Sequence, residues 1–148
     1  MPKKISLVTG GFDPLHSGHI DYFKSAKAEG DLLLVGINSD EWLVRKKGKY
    51  FLDYKERVAV IEALYMVDEI IEFDDSDDTA INAINKTKEL YPGYQIVFCN
   101  GGDRGKVNTP EYDIFIHSDE VLFKFNVGGF KTNSSSKILD RWEKKIKE

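Results

Sequence analysis

Short apolar runs alternate with longer stretches whose apolar residues recur at helical spacing. Ile5–Val8 is a short apolar run that reads as a buried strand. Ile20–Ala28 then places Ile20, Phe23, Ala26 and Ala28 on one helical face, and Gly30 stands where that helix would end. Asp31–Ile37 is apolar almost throughout, as in a parallel strand covered on both faces. Asn38-Ser39-Asp40 offers N-cap residues for a short helix through Trp42, Leu43 and Val44. Asp53, with Glu56 three residues on, has the form of a capping box heading a helix to about Tyr65. Glu69–Phe73 reads as a third strand, Thr79 to about Tyr91 as a helix closed by Pro92-Gly93, and Gln95–Cys99 as a fourth strand. Thr109-Pro110-Glu111 looks like a helix start, while Tyr112–His117 fits a short helix or a strand. Val121–Phe125 reads as a fifth strand, and Lys137 to about Lys147 as a last helix preceded by Ser134-Ser135-Ser136.

Strand and helix in alternation predict an α/β fold: a Rossmann-like three-layer α/β/α sandwich around a mostly parallel five-stranded sheet. Right-handed crossovers bring the turns that follow the strands to one edge, where open α/β sheets bind ligands. No repeat, low-complexity tract or linker interrupts the pattern, so residues 1–148 are expected to form a single domain.

Composition narrows the picture. At 41% hydrophobic and 31% charged residues, the chain fits a soluble globular domain with one sizeable core. A net charge of −4 argues against a nucleic-acid partner, which needs a basic surface. Cys99 is the single cysteine, so no internal disulfide can form, and its strand-like setting suggests a buried structural thiol. The basic start Met1-Pro2-Lys3-Lys4 precedes an apolar run too short for a signal peptide, and no run approaches the roughly 20 apolar residues of a membrane span. A cytoplasmic protein without a membrane partner is expected.

The chemistry concentrates between the first strand and the first helix, at Gly10-Gly11-Phe12-Asp13-Pro14-Leu15-His16-Ser17-Gly18-His19. That order gathers backbone N–H groups and the positive end of a helix dipole, which stabilise an anion such as phosphate. Gly18 leaves room for a ligand between the two imidazoles. Each part alone also fits a plain tight turn, a metal pair or a surface pair. Three further features add to it. Arg45-Lys46-Lys47-Gly48-Lys49 is the strongest charge cluster and reads as a basic loop; Arg57 sits early in its helix, against the dipole preference, and invites an anionic ligand. A second glycine turn, Asn100-Gly101-Gly102-Asp103-Arg104, follows the fourth strand, and Ser134–Ser136 bring hydroxyls and N–H groups to the last helix start. The acidic loop at Asp74, Asp75, Asp77 and Asp78 has no spacing that defines a metal site, and none is predicted. A dinucleotide fingerprint and a Walker-type loop are both absent from the first turn. Together these residues point to a polyanion such as a nucleoside triphosphate.

Gly11-Phe12-Asp13, His16, Gly18 and His19 fall in register with the G-x-F-D-x-x-H-x-G-H form of the H-x-G-H signature. On those residues the chain resembles the cytidylyltransferase-like nucleotidyltransferases, from Thr9 to about Leu139. The resemblance implies transfer of a nucleoside monophosphate, AMP slightly ahead of CMP, to a phosphorylated sugar or polyol with release of pyrophosphate. It assigns transition-state roles to His16, His19 and a lysine of the basic loop, Lys46 or Lys47. It places nucleotide contacts at Gly10, Gly11, Phe12, Asp13, Gly18, Arg57, Gly101, Gly102, Asp103, Ser134, Ser135 and Ser136. It also implies Mg²⁺ bound through the triphosphate, and a homodimer. Asn38-Ser39-Asp40, Lys47-Gly48 and Gly101-Gly102-Asp103 resemble the bacterial heptose-1-phosphate adenylyltransferase domain. Ser134-Ser135-Ser136-Lys137-Ile138 is similar to the family step S-T-T-x-I, with each hydroxyl kept. Gly129-Phe130-Lys131-Thr132-Asn133 departs from the R-T-x-G-I of the glycerol-3-phosphate cytidylyltransferase branch, the alternative acceptor class. A non-catalytic nucleotide-binding regulatory protein is the alternative of another kind.

Overall fold

The computed structural model describes residues 3–101, 105, 109–129 and 134–147. Its strands are β1 (Lys4–Gly10), β2 (Leu32–Ile37), β3 (Glu69–Ile71), β4 (Gln95–Cys99) and β5 (Val121–Lys124). The helices are α1 (Ser17–Lys27), α2 (Asp40–Lys47), α3 (Tyr54–Glu62), α4 (Ile81–Leu90), α5 (Pro110–Phe115) and α6 (Ser135–Lys147). The strands lie in the order β3-β2-β1-β4-β5, and every pairing is parallel. The expected sheet is therefore present and is parallel throughout. Its order reverses between β1 and β4, which run side by side although β4 is fourth in sequence. That is the topological switch point where such sheets open a crevice.

Alternation along the strands divides the core in two. Ile5 and Leu7 of β1, Leu34 of β2, and Ile96 and Phe98 of β4 pack with Ala83 and Ile84 of α4 and Phe115 of α5. Val8, Leu33, Val35, Val97 and Cys99 pack on the other face with Phe23 and Ala26 of α1 and Ile61 of α3. A sheet covered on both sides needs apolar residues in both registers, which is why β2 reads as a continuous apolar run rather than an alternating one.

Several boundaries differ from expectation, each for a local reason. The first helix begins at Ser17, not Ile20, because His16 caps it. Arg45, Lys46 and Lys47 are the last turn of α2, not a loop, and Gly48 closes that helix at φ 86°. Cations favour a helix C-terminus, so a basic run followed by glycine is a helix end. The Tyr112–His117 ambiguity resolves to helix through Phe115. The fourth helix begins at Ile81, two residues after Thr79, and the last takes in Ser135 and Ser136 as its first turn. No helix among the described residues is long and apolar enough to cross a membrane.

Candidate active site

A cleft of about 680 Å³ opens at the C-terminal ends of β1 and β4. The first glycine turn, both histidines, Lys46, Lys47, Gly101 and Ser134–Ser136 all line it. Features scattered along the sequence thus share one cavity, as the edge rule requires.

The histidine turn is built by reciprocal capping. Nδ1 of His16 accepts the Gly18 N–H at 3.1 Å, and Nδ1 of His19 accepts the His16 N–H at 3.2 Å. The rings stack with centroids 3.8 Å apart. A neutral imidazole accepting at Nδ1 must carry its proton on Nε2. Both rings are therefore set in the tautomer that presents an Nε2–H donor, the group a phosphate oxygen needs. Glycine is required where it stands: a Cβ on Gly18 would lie 2.9 Å from Cε1 of His16, and one on Gly10 would lie 2.9 Å from the Phe12 ring. Phe12 itself takes φ 52°, a left-handed value unusual outside glycine. That turns its ring into the core, edge-on to His19 and Phe23.

Asp13 lines the cleft but is 2% exposed, and its carboxylate accepts the N–H groups of Phe51 and Leu52, both at 2.7 Å. It fastens the α2–α3 connection to the first turn. Arg57 is placed apart from the cleft. Its guanidinium does not line the cleft but is wholly buried, donating to the carbonyls of Leu52, Gly11 and Asn38 and to Asp40 at 2.7 Å. Its anionic partner in the structure is the half-buried Asp40. The acidic loop acts likewise: Asp75 accepts from Asn38, from the Ser39 N–H and from the Ser39 hydroxyl, fixing the residue that caps α2. Arg45 then binds Asp78 and the Asp75 carbonyl, so it is a strut for α2 rather than a free cation.

At the other end of the cleft, Ser134 caps α6 by accepting the Lys137 N–H at 3.1 Å. The Ser135 hydroxyl donates to the Pro14 carbonyl at 2.7 Å, tying the α6 start to the histidine turn. Gly102 and Asp103 lie outside the described residues. Cys99 is a buried structural thiol; burial pushes it up to about 12, which rules it out as a nucleophile near neutral pH.

Glu111 and Asn100 are among the lining residues that the sequence reading did not assign to the site. Glu111, 4% exposed, accepts the Ala80 N–H at 2.9 Å through Oε1, while Oε2 has no hydrogen-bond partner among the described residues. Asn100, 7% exposed, has the same deficit at Nδ2. Glu111 follows Pro110 at a helix start, where an acid looks like a dipole partner, so its sequence setting carries no signal of the cavity.

The fold and the capped histidine turn define a class, the nucleotidyltransferases built on a parallel α/β sheet. A sequence model of the cytidylyltransferase-like family matches residues 7–141, and the chain belongs to that family. It is 38% identical over 111 residues, 74% of its length, to bifunctional protein HldE of Geobacter metallireducens. It is 33% identical over 95% of its length to HldE of Syntrophotalea carbinolica. It spans only 20% and 28% of those two relatives. A lipopolysaccharide core biosynthesis protein from Thermoplasma volcanium superposes with a TM-score of 0.61 at 28% identity, covering 83% of this chain and 93% of that one. A Vibrio parahaemolyticus protein described as a nicotinate-nucleotide adenylyltransferase shares the fold, with a TM-score of 0.66 at 19% identity over 97% of this chain and 88% of its own.

Proposed function

We propose that the chain transfers a nucleoside monophosphate from a nucleoside triphosphate to a phosphorylated sugar or polyol and releases pyrophosphate. The observation that carries this is the reciprocal cap. It uses both Nδ1 atoms to accept backbone N–H groups, which puts each ring proton on Nε2, beside a helix N-terminus and in one cleft with Lys46, Lys47 and the α6 start. Such a set stabilises charge developing on phosphate oxygens without a covalent intermediate. The acceptor phosphate brings its own nucleophile. One of its oxygens attacks the α-phosphorus in line, forming a new P–O bond as the bond to the bridging oxygen breaks, and pyrophosphate carries away the electron pair. Positioning and charge stabilisation are the protein's share.

Adenosine triphosphate is the favoured donor, supported by the steps shared with the heptose-phosphate adenylyltransferase domain and by the HldE matches. The donors at the histidine turn are N–H groups, imidazoles and ammonium groups, which take phosphate oxygens rather than a hard cation. Mg²⁺ therefore fits this site through phosphate oxygens and water, where it would neutralise part of the triphosphate charge. A panel of the four triphosphates against phosphorylated sugars and polyols, read by pyrophosphate release, tests the proposal. Turnover with at least one pair is expected. Tight triphosphate binding without turnover would favour the regulatory alternative.

A further inference from the structure

We infer that the half of the cleft facing α4 and α5 reads the hydroxyl groups of the acceptor, with Glu111 as the specificity-determining residue and Asn100 as its counterpart. The inference rests on the transferase reading above and adds to it the part of the molecule that selects a polyhydroxylated acceptor. Buried polar atoms in folded proteins are almost always paired. Here Oε2 of Glu111 and Nδ2 of Asn100 are both buried, both unpaired among the described residues, and both belong to residues lining one cavity. One is an acceptor without a donor and the other a donor without an acceptor.

Strand register puts them on the same side. Ile96 and Phe98 of β4 point into the cluster with α4 and α5. The Asn100 N–H extends the β4–β5 ladder by donating to the Lys124 carbonyl at 2.8 Å, so its side chain continues that alternation. Thr9 of β1, two residues after Leu7, also lines this half and adds a hydroxyl. A ligand hydroxyl, which both donates and accepts, satisfies the pair together. A fully ionised phosphate has no proton to offer the Glu111 oxygen and would leave that acceptor unsatisfied. The opposite half suits the nucleoside better, since Val127, Gly128 and Cys99 offer an apolar, backbone-accessible wall to a flat base. Trp42 lines the cleft as well, with the Lys46 ammonium 4.6 Å from its ring centroid. The acceptor then lies with its phosphate toward Lys46 and the histidine turn and its hydroxylated carbon chain toward Glu111.

Glu111→Gln tests this, because it keeps an oxygen for the Ala80 N–H while replacing the second oxygen, an acceptor, by an amide donor. The acceptors are glycerol phosphate, a pentitol phosphate and ethyl phosphate, which has no hydroxyl. The variant is expected to raise KM for the two polyol phosphates by about tenfold or more, with little change for ethyl phosphate. Its affinity for the triphosphate, measured by calorimetry without acceptor, is expected to stay within about twofold of wild type. Asn100→Ser is expected to repeat the pattern more weakly, and decides the matter if Glu111→Gln does not fold. Equal KM changes for all three acceptors, or none, would overturn the inference. So would a loss of triphosphate affinity, which would place the nucleobase beside Glu111. Should the wild type bind polyol phosphates in a Glu111-dependent way yet release no pyrophosphate, the transferase reading fails and this one stands.

Discussion

In each histidine of the first turn the two ring nitrogens face different demands, and substitution can separate them. His16→Asn keeps a side-chain acceptor for the α1 cap but lacks Nε2–H. It is expected to fold with near wild-type stability and to lower kcat by about a hundredfold or more, with a smaller change in triphosphate affinity. His16→Ala should show the same kinetic loss and also lose about 1 kcal/mol of stability with the cap, measurable by urea denaturation. Unchanged turnover in His16→Asn would remove the imidazole from the chemistry. Arg57 gives the converse case. Its guanidinium is buried against Asp40 and three carbonyls, so Arg57→Leu strands a half-buried carboxylate and frees those carbonyls. A loss of about 3–5 kcal/mol of stability is expected. A normally stable variant with impaired triphosphate binding would instead restore the phosphate-holding role that sequence position suggested.

Carboxylates tie neighbouring elements of the fold to one another. Asp68 joins α1 to β2 by accepting from Lys27 at 2.5 Å and from the Leu33 N–H at 2.7 Å. Partial burial pushes its carboxyl upward, but the hydrogen bonds from Lys27 and Leu33 outweigh that and hold it below the ordinary value of 3.8. A carboxylate depressed in the folded state stabilises the protein at pH above its unfolded value. That stabilisation is lost as pH falls through the lower folded value. Asp68→Asn should therefore cost roughly 0.5–1 kcal/mol near neutral pH and flatten the fall in stability below about pH 4. An unchanged acid limb in the variant would count against the pairing. The same scale shows what sequence could and could not reveal. Strands and caps were legible because short apolar runs, Ser39, Asp53 and the serine run act within a few residues of themselves. The roles of Asp13, Arg57 and Asp75 were not, because, the Leu52 carbonyl beside Arg57 apart, these partners lie from 17 to 46 residues away and only the folded sheet brings them together. A buried ion pair and a phosphate ligand leave the same trace in sequence, an arginine where a helix would not choose one.

For the whole molecule, the order β3-β2-β1-β4-β5 is what converts a list of motifs into a site. It sets the ends of β1 and β4 side by side and brings the α6 start, more than a hundred residues on, to the Pro14 carbonyl. The location of the cleft was therefore legible from strand alternation and the edge rule. Its two-sidedness was not, since Glu111 and Asn100 acquire meaning only from burial. The claim on which everything else depends is that chemistry occurs at the α-phosphorus. Phosphorus NMR of the complete reaction, with adenosine triphosphate, Mg²⁺ and the best acceptor from the panel, tests this directly. The account predicts equal amounts of pyrophosphate and of a product whose two phosphorus atoms are coupled in a nucleoside diphosphate linkage. Formation of nucleoside diphosphate or orthophosphate in their place, or a bound triphosphate that stays intact with every acceptor, would contradict it.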